Sequence, residues 1–170
     1  MKTIRDLNQL PPKEKYRPGR VVIGVDPGVS GGVAVHYAGG EIYTFNMPKE
    51  VDGFRDLAER ITHPDSLNVV YLEDVPAYAG KQLPGARMFK LGESCGIIRG
   101  IFSGLYIKTV LVRPQEWQKQ LGLERPKGAN QQEWKRILKA CAQTMFPDVE
   151  ATLNTADALL IMGYGLTQQN

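Results

Sequence analysis

The run Val21-Val22-Ile23-Gly24-Val25-Asp26-Pro27-Gly28 is an apolar strand that stops on a carboxylate, and after Gly31-Gly32 a second strand-like run follows, Val33-Ala34-Val35. A carboxylate at the end of a buried strand is costly unless something pairs with it. Asp26 is therefore a metal ligand, a phosphate-handling group or a turn-former, and Asp26-Pro27-Gly28 is by itself good turn sequence.

The rest of the chain supplies a frame for that strand. Ile42-Tyr43-Thr44-Phe45 follows the Gly39-Gly40-Glu41 turn, so three strands joined by short turns predict an antiparallel meander. Phe54, Leu57, Ala58 and Ile61 recur at helical spacing, and residues 69–72 form an apolar run of the buried-strand type. Residues 75–87, with Pro76, Gly80, Pro84 and Gly85, read as an exposed loop. A longer helix follows, with Met88, Leu91, Cys95, Ile98, Phe102 and Leu105 on one stripe.

Within that helix Gly92, Gly96, Gly100 and Gly104 recur every four residues. Each interior glycine costs roughly 1 kcal/mol relative to alanine, so the row predicts a close contact, either with the sheet or with another subunit. Gly104 is alternatively a helix C-cap. Residues 106–112 read as a fifth strand stopped by Pro114, residues 117–121 as one or two helical turns, and residues 122–128 as a polar loop. Asn130 and Glu133 have capping-box spacing and open a helix with Trp134, Ile137, Leu138, Cys141 and Met145 inward, ended by Pro147. A last helix is expected over about 153–163. The order predicts an α/β fold, a five-stranded mixed sheet whose first three strands form the meander, with helices on its faces.

Residues 1–19, with Pro11-Pro12 and Pro18-Gly19 among polar residues, read as a flexible basic arm, leaving residues 20–170 as the domain. A length of 170 residues suits one domain with a real core. The longest apolar runs are too short to cross a bilayer and Met1 to Arg5 lead into no apolar signal core, so no membrane association and a cytoplasmic location are expected. Cys95 and Cys141 lack metal-type spacing and read as reduced core residues; with His36 and His63 the only histidines, a zinc cluster is excluded. Net charge is +3, with basic residues concentrated in the arm and between Arg113 and Lys139. That distribution suits a polyanionic partner or, equally, a solvated mixed-charge surface.

Three acids stand at notable places. Asp26 ends the first strand, Glu73 ends the buried fourth strand in Leu72-Glu73-Asp74-Val75, and Asp157 lies in the last helix within Asn154-Thr155-Ala156-Asp157-Ala158-Leu159-Leu160. Carboxylates gathered from strand ends and a covering helix hold hard cations such as Mg²⁺, and two ions about 4 Å apart can activate a water and stabilise a leaving oxygen. Each acid also has a plainer use. Asp74 competes with Glu73, because alternation puts them on opposite faces. Asp157 is alternatively a first-turn acid in a helix capped by Asn154.

Ile23-Gly24-Val25-Asp26-Pro27-Gly28, Leu72-Glu73-Asp74-Val75, Lys90-Leu91-Gly92-Glu93-Ser94-Cys95-Gly96 and Ala156-Asp157-Ala158-Leu159, in this order, resemble the successive motifs of the RuvC family of Holliday-junction resolvases, over nearly all of residues 20–165. The resemblance implies an RNase H-like fold, a homodimer, two Mg²⁺ (or Mn²⁺) ions per active site, and paired symmetric nicks in a four-way DNA junction with no small-molecule substrate. Asp26, Glu73 and Asp157 match three of the family's metal-site residues. The fourth, usually Asp or His, is Asn154 here, a neutral oxygen donor and poor proton acceptor. Either cleavage proceeds with three carboxylates, or the substitution is inactivating, or the protein binds a junction without cutting.

In the family an aromatic after the second acid inserts near the branch point; Tyr78 is the nearest candidate and Phe89, which also suits a plain core role, the alternative. Lys81 and Arg87 in the same region, and Arg113, Lys119 and Lys127 later in the chain, are the candidate DNA-binding cations. The row Gly92, Gly96 and Gly100 is the candidate dimer interface. An actin-like kinase or ATPase fragment also begins with an Asp-Gly strand turn, but it needs two such domains.

Overall fold

The computed structural model describes residues 7–74 and 85–168. Tyr78 and Lys81 lie outside the described residues. The strands are β1 (Arg20–Asp26), β2 (Gly32–His36), β3 (Ile42–Asn46), β4 (Leu67–Glu73) and β5 (Lys108–Val112). The helices are α1 (Val51–Ile61), α2 (Gly85–Gly104), α3 (Pro114–Gln120), α4 (Gln131–Met145) and α5 (Ala156–Thr167). The sheet order is β3-β2-β1-β4-β5, with β1–β2 and β2–β3 antiparallel and β1–β4 and β4–β5 parallel. This is the mixed five-stranded sheet expected from the order of elements.

Alternation along the central strands divides the core into two layers. Val21, Ile23 and Val25 of β1, with Val70 and Leu72 of β4, pack on one face against Phe54, Leu57, Ala58 and Ile61 of α1 and Ile98 and Phe102 of α2. Val22 of β1 and Val69 and Tyr71 of β4 pack on the other face with Trp117, Trp134, Leu138 and the buried residues of α5. Helix α5 is apolar nearly all round and buried from Ala156 to Gly165, as a helix without a polar face must be. It rests directly on β1. A Cβ built on Gly24 would stand 2.3 Å from the Ala158 carbonyl oxygen and 2.4 Å from the Met162 backbone nitrogen.

The segment read as a flexible arm is packed from residue 7 onward. It forms short 3₁₀ turns at Leu7–Gln9 and Lys13–Lys15, and Leu7 and Leu10 lie against the core. Tyr16 is buried, its ring stacked on Tyr37 with centroids 3.8 Å apart and planes 7° apart. One aromatic in a polar, proline-bearing stretch has no periodicity to reveal it, yet its burial anchors the segment.

Helix α2 begins at Gly85, inside the stretch read as a loop, and its glycine row meets no sheet. Among the described residues a Cβ at Gly92, Gly96, Gly100 or Gly104 would find nothing within 4 Å, because the stripe ending in Ile98 and Phe102 is what α2 turns to the core. Nor is Gly104 a left-handed cap: Ile107 N donates to Phe102 O and Tyr106 N to Ser103 O, a Schellman closure whose left-handed residue is Tyr106, with φ 57°. Strand β5 therefore starts at Lys108, two residues later than expected. Phe89, given a core alternative above, is 70% exposed. In α4 the capping box of Asn130 and Glu133 is present, whereas Met145 at the last turn is exposed and Ala142 takes an inward position. Helix α5 starts at Ala156 with Thr155 as N-cap, so Asn154 does not cap it. No helix among the described residues is long and apolar enough to cross a membrane.

Candidate active site

Parity along two adjacent parallel strands builds the site. Val25 pairs with Leu72, so Asp26 and Glu73 stand side by side where β1 and β4 end. Asp26 shares its face with Val22 and Gly24, and Glu73 shares its face with Val69 and Tyr71, so both carboxylates emerge on the side covered by α3, α4 and α5. That resolves the choice between Glu73 and Asp74. Both residues border a recess of about 370 Å³ with Met88, Cys95 and Arg99, but it is Glu73 that bonds Trp117 and feels the charges of Asp26 and Asp157.

The contact at Gly24 places the third acid. With the Ala158 carbonyl against β1, Asp157 in the first turn of α5 comes over Asp26, and its charge acts on both Asp26 and Glu73. Asp157 is buried at 7% exposure, and its Oδ1 has no hydrogen-bond partner among the described residues. Asn154 precedes the helix: its carbonyl lies over Gly32, the pair partner of Asp26, and the residue lines a recess of about 500 Å³ bounded by Thr44, Phe45 and Leu57.

Two further residues complete the centre. Trp117 of α3, fully buried, donates its Nε1–H to Glu73 Oε1 at 3.2 Å. Lys135 of α4 places Nζ 2.5 Å from Asp157 Oδ2 and 3.8 Å from Asp26 Oδ2. Neither was singled out above. The one available signal was that Lys135 belongs to the basic stretch between Arg113 and Lys139 and follows an inward Trp134. Arg87, Arg113, Lys119 and Lys127 are exposed.

Crowded carboxyls out of water resist ionisation. Burial, then the charge of Asp157, raises Asp26 from 3.8 to about 6 against the lowering effect of Lys135. Burial, then Asp26 and Asp157, raises Glu73 from 4.5 to about 8 against Trp117 and Lys135. Burial on its own would lower Lys135, but Asp157 and then Asp26 hold it above its ordinary value. Both acids bind protons more tightly folded than unfolded, so the stability these two groups contribute to the metal-free protein is fully present below about pH 4 and is lost as pH rises to about 6 for Asp26 and about 8 for Glu73. Urea titrations in a chelator should give a lower unfolding free energy at pH 9 than at pH 5, with a slope of up to roughly 1.4 kcal/mol per pH unit for each group. Glu73→Gln should flatten the upper part of that fall; a curve unchanged by the substitution would count against the assignment.

Three hard carboxylates, an orphaned buried oxygen and mutual repulsion make a donor set that fits a divalent cation. As they stand, no three Asp, Glu, His or Cys side chains among the described residues are arranged to hold an ion. The cation that meets Asp26 and Asp157 is the Lys135 ammonium.

Among solved structures, the chain is similar to the Thermus thermophilus RuvC structure, at 18% identity and TM-score 0.53 over 85% of this chain and 92% of that one. It is also similar to T. thermophilus RuvC in complex with a Holliday junction substrate, at 17% identity and TM-score 0.56 over 85% of this chain and 91% of that one. No protein-family model and no curated protein matches. The fold is RuvC-like, an RNase H-like α/β architecture.

Proposed function

We propose that the chain is a divalent-metal-dependent endonuclease acting on four-way branched DNA. The observation that carries this reading is the convergence of Asp26, Glu73 and Asp157 where β1, β4 and α5 meet. Support comes from the likeness to a fold that, in T. thermophilus RuvC, was solved with a Holliday junction substrate. Asp26, Glu73 and Asp157 would hold Mg²⁺ or Mn²⁺, two ions per site, through oxygen ligands. When bound, such ions supply Lewis acidity to the phosphodiester and acidity to a water.

The chain's own residues prepare that centre. Trp117 fixes one oxygen of Glu73 and leaves the second for an ion. Exposed Arg87, Arg113, Lys119 and Lys127 offer phosphate contacts, which give affinity without sequence information. Phe89, exposed near the start of α2, joins Tyr78 as a candidate for stacking on a base at the branch point. Two symmetric nicks call for a two-fold dimer, and the open face of α2 carrying Gly92, Gly96 and Gly100 is its proposed interface.

The test is incubation of a labelled four-way junction and a linear duplex with the chain, with and without Mg²⁺. Paired nicks in the junction alone, dependent on the ion, are expected; equal cutting of the duplex would sink the reading. A second reading, a junction-binding module, is favoured by the neutral Asn154 and by its position lining the recess beside β3. Tight junction binding without nicking, converted to nicking by Asn154→Asp, is what that reading expects.

A further inference from the structure

We propose that the Lys135 ammonium is a tethered counter-cation, seated where a divalent ion binds between Asp157 and Asp26, and that the ion must displace it. The inference rests on the nuclease reading above. One ammonium spans both acids, with Nζ 2.5 Å from Asp157 Oδ2 and 3.8 Å from Asp26 Oδ2. Its seat is defined by the fold: the capping box sets the start of α4, and Trp134 and Leu138 bury the adjoining stripe. The Lys135 side chain beside them is 32% exposed, its charged end directed to carboxylates. An ordinary surface lysine would cover apolar surface with its stem and keep its charge in water.

The ammonium is an incomplete substitute for an ion. It brings a single charge to three carboxyls, and it leaves Asp157 Oδ1 buried without a partner among the described residues. A divalent cation, which gathers several oxygens at short range, would remove both deficits. Lys135 is thus a positioning residue that neutralises the metal-free site and weakens ion binding by competition.

The experiment titrates Mn²⁺ calorimetrically into the DNA-free chain. Lys135→Met should bind Mn²⁺ about tenfold more tightly or better, and Lys135→Arg, which keeps the charge, no more tightly than the parent. On the unsubstituted chain, amine labelling of Lys135 read by mass spectrometry should rise when Mn²⁺ is added, a readout that needs no variant to fold. Unchanged or weaker Mn²⁺ binding by Lys135→Met, or labelling indifferent to saturating Mn²⁺, overturns the proposal. If neither the parent nor the variants bind Mn²⁺, the nuclease reading falls with it. If Mn²⁺ binds, and Asp26→Asn abolishes binding while Lys135→Met changes nothing, only the competition by Lys135 is refuted.

Discussion

Asp26→Asn should reduce Mg²⁺-dependent nicking of a four-way junction by roughly 10³-fold or more, equivalent to about 4 kcal/mol of transition-state stabilisation. The substitution preserves shape and removes only the negative charge, which an ion shared by Asp26 and Asp157 requires and an amide supplies poorly. It should not unfold the protein. Asp26 is a carboxyl whose ionisation is resisted by burial and by Asp157, so a neutral isostere relieves repulsion in the metal-free state. The expected pattern is therefore lost nicking with retained junction binding and an unchanged or raised melting temperature. Nicking at the parent rate would remove Asp26 from the chemistry, whereas a large fall in melting temperature would mean that its role is in the fold.

Gly24→Ala should be the most damaging single methyl group in the sheet. Its Cβ would stand 2.3 Å from the Ala158 carbonyl oxygen and 2.4 Å from the Met162 nitrogen, and both are backbone atoms of α5 that no rotamer change can move aside. Overpacking of this kind typically costs 1–3 kcal/mol, and with only main-chain atoms of α5 in the way about 3 kcal/mol is expected. For a domain of this size that lowers the melting temperature by roughly 6–12 °C. The damage reaches the site as well, because lifting α5 off β1 separates Asp157 from Asp26. Gly53→Ala in α1 is the control. Among the described residues its Cβ would meet only Pro48 Cβ at 3.4 Å, and replacing a glycine in the first turn of a helix should stabilise by up to about 0.5–1 kcal/mol. Equal melting temperatures for the two variants would refute the close seating of α5.

The strands, the meander of the first three and the inward face of α1 were legible because they rest on local patterns, whereas the placement of β4 and β5 beside β1 came from the tertiary structure. A short, β-branched apolar run such as residues 21–25 suits a strand covered on both faces, and Phe54, Leu57, Ala58 and Ile61 define the inner face of α1 without reference to any neighbour. The capping box at Asn130 was legible for the same reason, since its partners lie three residues apart. Where a signal was a single residue, composition misled: polar residues and prolines concealed the burial of Tyr16. The glycine row showed that α2 has an unusual face, but the direction of that face depends on which stripe meets the sheet.

By itself, then, the sequence located the strands, the inner face of α1 and the positions of Asp26, Glu73 and Asp157 at element ends. Periodicity reports orientation relative to a residue's own strand or helix, and that suffices for those features. Only the tertiary structure decided that Glu73 rather than Asp74 joins the centre, that Gly24 admits α5 against β1, that Trp117 holds Glu73, and that Lys135 meets Asp157. Each of these contacts joins residues from different elements, far apart in sequence. Which cation faces which carboxylate is fixed by how two helices settle on one sheet, and that is set by the summed packing of the core.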